Sequence, residues 1–379
     1  MTNLATEKAS ETPPKLALFL PSLEGGGAER IMVNLAEGFA KRGVMTDMVL
    51  ARAEGPYLSQ VAPEVNVVDL KAFRVLFSTG ALAEYLRTSR PDAVISALDY
   101  ANLVAVWAKR LARTDTKVLV TVHNQLTVPM TGRRGLKSSA VLKLMRPFYP
   151  WADEIIAVSD GVADDVTSTT GIPRRLISTI YNPVVSDAML AKGKGAVNSN
   201  WVKEDDPPII LGIGRFTEQK DFPTLIRAFD LVRRTHKAKL IILGEGPLRG
   251  ELEALVVELG LRDSVVLPGF VDNPYAYLKR AAVFALSSKW EGLPTVLIEA
   301  LALGTPIVAT NCKSGPDEIL QGGKYGTLVP ISDIQALADG LRGTLETLGQ
   351  RSQVTPEAYE PFTMDAAVDA YLSAAGLNL

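Results

Sequence analysis

Four charged residues in the second half of the chain have the types and spacing to hold a phosphorylated ligand rich in hydroxyls: Arg215, Lys220, Glu291 and Glu299. Arg215 and Lys220 follow an apolar run at 209–214. Arginine offers a planar fork of donors and lysine a compact positive charge, so together they suit a diphosphate. A solvated basic loop is the plainer alternative. Glu291 follows another apolar run, 283–286, in the stretch Ser-Ser-Lys-Trp-Glu-Gly-Leu-Pro. Pro294 suits a first helical position, where its missing N–H costs nothing. Glu299 then falls in the second turn, among Val296, Leu297, Ile298, Ala300 and Leu301. A carboxylate on a helix that apolar needs a partner. A ribose diol would serve, and so would an internal cation.

A further candidate lies near the N-terminus. The run 16–21 leads into Ser-Leu-Glu-Gly-Gly-Gly-Ala-Glu-Arg, and Ala28, Ile31, Met32, Leu35 and Phe39 then form a helical apolar stripe. Gly25, Gly26 and Gly27 thus precede a helix N-terminus, where unpaired N–H groups attract phosphate and absent Cβ atoms admit a ligand. A tight turn without a ligand is the alternative. The spacing differs from the dinucleotide fingerprint G-x-G-x-x-G, which disfavours a dehydrogenase.

The elements that must position these residues are thirteen short apolar runs alternating with longer amphipathic segments. Such alternation implies βαβ units and parallel sheets, and consecutive apolar residues imply strands buried on both faces. The pattern lapses over 186–208, which reads as a linker. The expected organisation is a polar tail at 1–14, an α/β domain at 15–185, the linker, a second α/β domain at 209–362, and a helical segment at 363–379 able to pack on either domain. Two such domains leave a cleft, faced by the loops at the carboxyl ends of the strands.

Gly214-Arg215 with Lys220, Leu243-Gly244-Glu245-Gly246-Pro247, Val266 through Val271, Glu291 with Glu299, and Gly304 through Ala309 occur in that order. This ordered set resembles the donor domain of the family 4 glycosyltransferases, retaining enzymes of the GT-B fold with two Rossmann-like domains facing a central cleft. The resemblance spans about residues 15–369. It implies that Arg215 and Lys220 hold the diphosphate of a UDP-sugar, helped by backbone N–H groups of Gly292, Leu293, Thr295 and Val296. Glu291 would bind the transferred sugar and Glu299 the ribose. The base would lie against Gly244 and the backbone of Phe270 and Val271, and Gly214 would also belong to the donor site. Gly26 and Gly27 would border the diphosphate, and His123 the reacting centre, though His123 also reads as an ordinary loop histidine. Many members have Glu-Gly-Phe-Gly where this chain has Glu291-Gly292-Leu293-Pro294. Proline removes one phosphate donor, and the form resembles transferases that build bacterial surface polysaccharides and lipid-linked glycans.

In such a transfer the leaving phosphate takes the acceptor's proton, so no general base is required. No Asp-x-Asp metal motif occurs in the chain. The expectation is therefore no cofactor and no metal, with Arg215 and Lys220 in the metal's place. The expected partners are the UDP-sugar and a glycan or lipid-linked acceptor. A sugar-nucleotide epimerase, a phosphorylase and a non-catalytic sugar-nucleotide binder are the alternatives. A net charge of −2 argues against nucleic acid as partner. One cysteine and no signal segment suggest a reducing, cytoplasmic setting, and two histidines with that cysteine leave little for a zinc site. Residues 131–151 carry Arg133, Arg134, Lys137, Lys143 and Arg146 beside Val141, Leu144, Met145 and Phe148. This basic amphipathic segment either lies on the anionic inner face of a membrane or packs on its own domain with a solvated basic side.

Overall fold

The computed structural model describes residues 13–127, 136–197, 201–202, 207–348 and 354–377. The expected tail, apart from residues 13 and 14, and residues 131–135 of the basic segment lie outside these. Every apolar run identified above forms a strand. They are β1 (Lys15–Leu20), β2 (Met45–Leu50), β3 (Asn66–Asp69), β4 (Ala93–Ala97), β5 (Lys117–Val122), β6 (Glu154–Ala157), β7 (Ile177–Thr179), β8 (Ile209–Ile213), β9 (Lys239–Leu243), β10 (Val265–Gly269), β11 (Val283–Leu286), β12 (Ile307–Thr310) and β13 (Thr327–Val329). The helices are α1 (Gly27–Lys41), α2 (Thr79–Ser89), α3 (Asp99–Ala112), α4 (Leu136–Phe148), α5 (Asp160–Thr170), α6 (Asp187–Gly193), α7 (Phe222–Arg233), α8 (Arg249–Glu258), α9 (Pro274–Arg280), α10 (Thr295–Ala302), α11 (Pro316–Ile319), α12 (Ile334–Glu346) and α13 (Met364–Ala375).

One sheet has the order β3-β2-β1-β4-β5-β6-β7 and the other β10-β9-β8-β11-β12-β13. The pairs β1–β2, β1–β4, β8–β9 and β8–β11 run parallel, as do their neighbours. Leu16 to Leu20 of β1 are all buried, which is why successive residues there are apolar. In both orders the chain winds outward from a central strand, turns back and winds the other way. A switch point results between β1 and β4 in one sheet and between β8 and β11 in the other.

By contacts the chain forms two compact units, one of residues 1–122, 134–156 and 368–379 and one of 123–133 and 157–367. The second unit packs α7, α8 and α12 on its sheet through Ile210, Leu240, Val283, Leu225, Phe229, Leu252 and Leu337. The stretch expected as a linker contains α6. Its cap is the Ser186 hydroxyl, which accepts from the Met189 N–H at 3.3 Å, and Met189 is buried. Asn273 and Arg280, flanking and ending α9, donate to the carbonyls of Lys192 and Gly195. Lysine and glycine gave this stretch a linker-like composition; the Ser-Asp cap was the signal for the helix.

Candidate active site

In the second unit, the loops leaving β8 and β11 flank the switch point. They are stitched together. The Ser287 hydroxyl donates to the Lys220 carbonyl at 2.7 Å, the Lys289 N–H to the Gln219 carbonyl at 2.8 Å, and Gln219 Nε2 to the Trp290 carbonyl at 3.0 Å. This brings two of the expected residues into contact. Lys220 Nζ donates to Glu291 Oε1 at 2.6 Å, as does the Ser288 hydroxyl at 2.6 Å, while Gln219 Nε2 reaches Oε2 at 3.3 Å. Glu291 is only 6 % exposed, so the ion pair offsets a large desolvation cost. The resemblance implies separate roles, Lys220 for phosphate and Glu291 for sugar; in this structure each also holds the other in place. A carboxylate accepts about four hydrogen bonds and an ammonium donates three. Oε2 and Lys220 therefore keep capacity for a ligand.

Arg215 is exposed, and its guanidinium makes no hydrogen bond or ion pair among the described residues. Gly214, Gly244 and Gly269 bind three strand ends together. The Gly214 N–H donates to the Leu243 carbonyl at 3.0 Å, and the Gly244 N–H to the Gly269 carbonyl at 2.9 Å. Gly244 has φ +135°, and a Cβ there would collide with the Gly214 carbonyl oxygen. Phe270 follows with 79 % of its surface exposed, and Val271 is half-buried.

Helix α10 begins at Thr295. Pro294 occupies its cap position with φ −69° and ψ 98°, and no side chain caps it. Pro294 thus stands one residue earlier than expected, because its carbonyl accepts from the Leu297 N–H at 3.0 Å. Leu293 is buried and Thr295 exposed. Glu299 is half-buried in the second turn of α10. A Cβ on Gly292 would stand 3.2 Å from the His123 carbonyl oxygen, so these two expected residues also meet. Burial pushes the His123 imidazole down to about 4, which keeps it neutral at ordinary pH. The Cys312 thiol, after β12, is pushed up to about 12 by burial and then by the Glu291 charge.

Two carboxylates escaped the sequence reading. Asp165, fully buried, accepts from the Leu126 N–H at 2.6 Å, the Thr127 N–H at 3.2 Å and the Thr127 hydroxyl at 2.6 Å. It fixes the segment that follows His123. Asp99 follows β4, at the switch point of the first unit, where the glycine segment follows β1. Leu98 before it has φ +77°. Burial raises the Asp99 carboxyl above its usual range, and it makes no hydrogen bond or ion pair among the described residues. An acidic residue two places after the run at 92–97 was its signal. Gly26 caps α1, both Gly26 and Gly27 are exposed, and the Glu29 carboxylate folds back toward Gly26.

The family described as "Glycosyl transferases group 1" matches residues 196–360, and "Glycosyltransferase Family 4" matches 25–187. An N-acetylgalactosamine-N,N'-diacetylbacillosaminyl-diphospho-undecaprenol 4-alpha-N-acetylgalactosaminyltransferase of Campylobacter jejuni is 30 % identical over 342 residues, 88 % of this chain and 90 % of that protein. The chain belongs to the family 4 glycosyltransferases. A second Campylobacter jejuni relative, an alpha-1,4-N-acetyl-D-galactosaminyltransferase named for a PP-undecaprenol substrate, is 28 % identical over 91 % of this chain and 92 % of that one. The Anabaena HepE structure in complex with UDP matches with TM-score 0.75 at 20 % identity, covering 96 % of this chain and 99 % of that one. The lipopolysaccharide galactosyltransferase WaaB matches with TM-score 0.72 at 21 % identity, covering 95 % and 98 %. These likenesses show the GT-B fold. In this family 4 chain Arg215, Lys220, Glu291 and Glu299 fall in the group 1 match, and Gly26, Gly27 and His123 in the other.

Among the described residues no helix is long and apolar enough to cross a membrane, and no group of three His, Cys, Asp or Glu is placed to hold a metal ion. The apolar side of α4 is used within the first unit. Val141 and Met145 are buried, and Phe148 meets Trp107 edge-to-face at 5.4 Å. Lys143 and Arg146 remain exposed.

Proposed function

We propose that the chain transfers a hexose or N-acetylhexosamine from a UDP-sugar to a hydroxyl of a lipid-linked glycan, with retention at the anomeric carbon and without a metal. The Lys220–Glu291 pair at the switch point carries this reading. It holds an ammonium and a carboxylate in fixed register beside the uncapped N-terminus of α10 and the free guanidinium of Arg215. As the glycosidic bond to phosphate breaks, negative charge grows on the diphosphate. Lys220 and Arg215 offset that charge without moving, the efficient form of electrostatic catalysis. Glu291 Oε2 accepts from a sugar hydroxyl, Glu299 from the ribose diol, and Phe270 with Val271 flanks the base. His123, neutral through burial, contributes a polar group without adding a third positive charge. On the acceptor side Asp99 receives a glycan hydroxyl beside Gly26 and Gly27. The bacterial relatives named for undecaprenol-linked substrates support the acceptor class, and the UDP complex of HepE supports the nucleotide.

The test is transfer from a panel of nucleotide sugars to undecaprenyl-diphosphate-linked glycans in EDTA, with the product anomer read by NMR. Retained configuration, UDP preference and full activity in EDTA are expected. An inverted product, or activity lost to EDTA and restored by manganese, would overturn the reading.

A further inference from the structure

The segment between β3 and α2 shows a feature that the sugar-transfer site does not use. Phe73 is 75 % exposed, Phe77 74 % and Leu76 47 %, all within one short turn. Exposed aromatic residues so close together are uncommon on a soluble surface. The turn is held at both ends. The Ala72 N–H donates to the Ala51 carbonyl at 2.8 Å, and the Lys71 N–H to Asp69 Oδ1 at 2.9 Å. At the far end the Phe77 N–H donates to the Arg74 carbonyl at 2.9 Å, and the buried Ser78 hydroxyl to the Val75 carbonyl at 2.6 Å. The rings are therefore displayed by a defined backbone.

The charged side chains carried on the turn itself are all basic, with the exposed Asp69 carboxylate at its base. Lys71 and Arg74 are exposed, the Arg74 guanidinium lies 5.5 Å from the Phe73 ring centroid, and no acidic residue occurs between Asp69 and Glu84. Apolar rings with flanking cations match the interface of an anionic bilayer, where rings enter the acyl boundary and cations meet phosphates. The place also fits. All strands from β3 to β4 are parallel, so the turn shares the carboxyl edge with the glycine segment and Asp99. It lies two strands from β1, roughly 10 Å at the usual interstrand spacing.

We propose that the Phe73–Phe77 turn docks the enzyme on an anionic lipid bilayer, setting the first unit's strand-end loops beside the membrane that carries the acceptor. The proposal rests on the lipid-linked acceptor reading for its purpose, but its test does not. Full-length protein is sedimented with phosphatidylcholine vesicles with and without phosphatidylglycerol. Wild type should bind the anionic vesicles, and Phe73→Ser/Phe77→Ser should lower partitioning at least tenfold at an unchanged melting temperature. Lys71→Gln/Arg74→Gln should weaken binding and flatten its salt dependence, whereas Lys143→Gln/Arg146→Gln should not. The single native cysteine, Cys312, is 2 % exposed. A polarity-sensitive fluorophore on Phe77→Cys should therefore report selectively, brightening on anionic vesicles. Wild-type-like binding by the double serine variant, no binding by wild type, or a wild-type dimer that those serines dissociate would each overturn the proposal. Transfer to free glycans only, with vesicle binding still lost in the double variant, would sink the acceptor reading and leave the docking surface standing.

Discussion

Glu291, proposed above to bind the transferred sugar, also holds the fold together. It is buried and receives hydrogen bonds from Lys220, Ser288 and Gln219. Glu291→Ala would leave Lys220 as a nearly buried, uncompensated cation, at a cost of about 3–5 kcal/mol. Chemical denaturation should show that loss, with transfer abolished. A variant as stable as wild type would contradict the pair's structural role. Glu299→Ala should weaken UDP binding by about 1–3 kcal/mol in the folded variant, measured by calorimetry. Unchanged affinity in the folded variant would remove Glu299 from the ribose. His123 adds a pH dependence. Burial lowers its pKa from 6.5 to about 4, so between those values the unfolded chain binds a proton that the native one refuses. Stability should fall as pH drops through that window. His123→Gln should lose this part of the slope; an identical pH profile would refute the assignment.

At the scale of elements, the strands were legible because parallel strands buried on both faces need consecutive apolar residues, and 16–20 or 239–243 offer little else. The order of strands in the sheets was not, since pairing joins residues far apart in the chain. The same distance hid the ion pair: Lys220 and Glu291 are 71 residues apart, and only the β8–β11 pairing brings their loops together. Arg215, Lys220, Glu291 and Glu299 could be picked by type and spacing, yet their contacts could not. Asp99 is not legible in the same way, because a single acid at a helix start usually only complements the helix dipole. The glycines show another side of this. The resemblance puts the base against Gly244, and the structure shows its backbone already meeting Gly214. Gly244→Ala combines a left-handed φ with a collision against a carbonyl oxygen, both fixed by neighbouring strand ends. The variant should lose about 2–4 kcal/mol and weaken UDP binding, because β8 and β9 must part to admit the methyl group. Wild-type stability and affinity would show that the loops can yield.

Across the whole molecule the chain does not end where its second sheet ends. Helix α13 begins among residues of the second unit, but from Val368 onward it belongs to the first. The sequence showed an apolar helical stripe there without showing what it met. It meets α1: Tyr371 packs edge-to-face on Phe39 at 6.5 Å between ring centroids, and Arg42 donates to Asp369 at 2.8 Å. Val368, Tyr371, Leu372 and Ala375 are all buried. The exposed Arg42–Asp369 pair adds little, so the stabilisation comes from apolar burial. At about 1.5–3 kcal/mol for each of the three large side chains, removing the segment costs roughly 5–9 kcal/mol, comparable to the whole stability of an ordinary domain. A chain truncated after residue 363 should therefore lose the first unit's cooperative transition. The second unit's core, built from β8 through α12, is complete without α13. Calorimetry should show one transition surviving, and UDP added to the truncated chain should still raise it if Arg215, Lys220 and Glu299 hold the nucleotide within that unit. Tyr371→Ala offers a milder version, lowering only the first unit's transition. A single transition, lowered as a whole, would mean that the two units unfold as one, and that α13 stabilises the molecule rather than the unit it packs on.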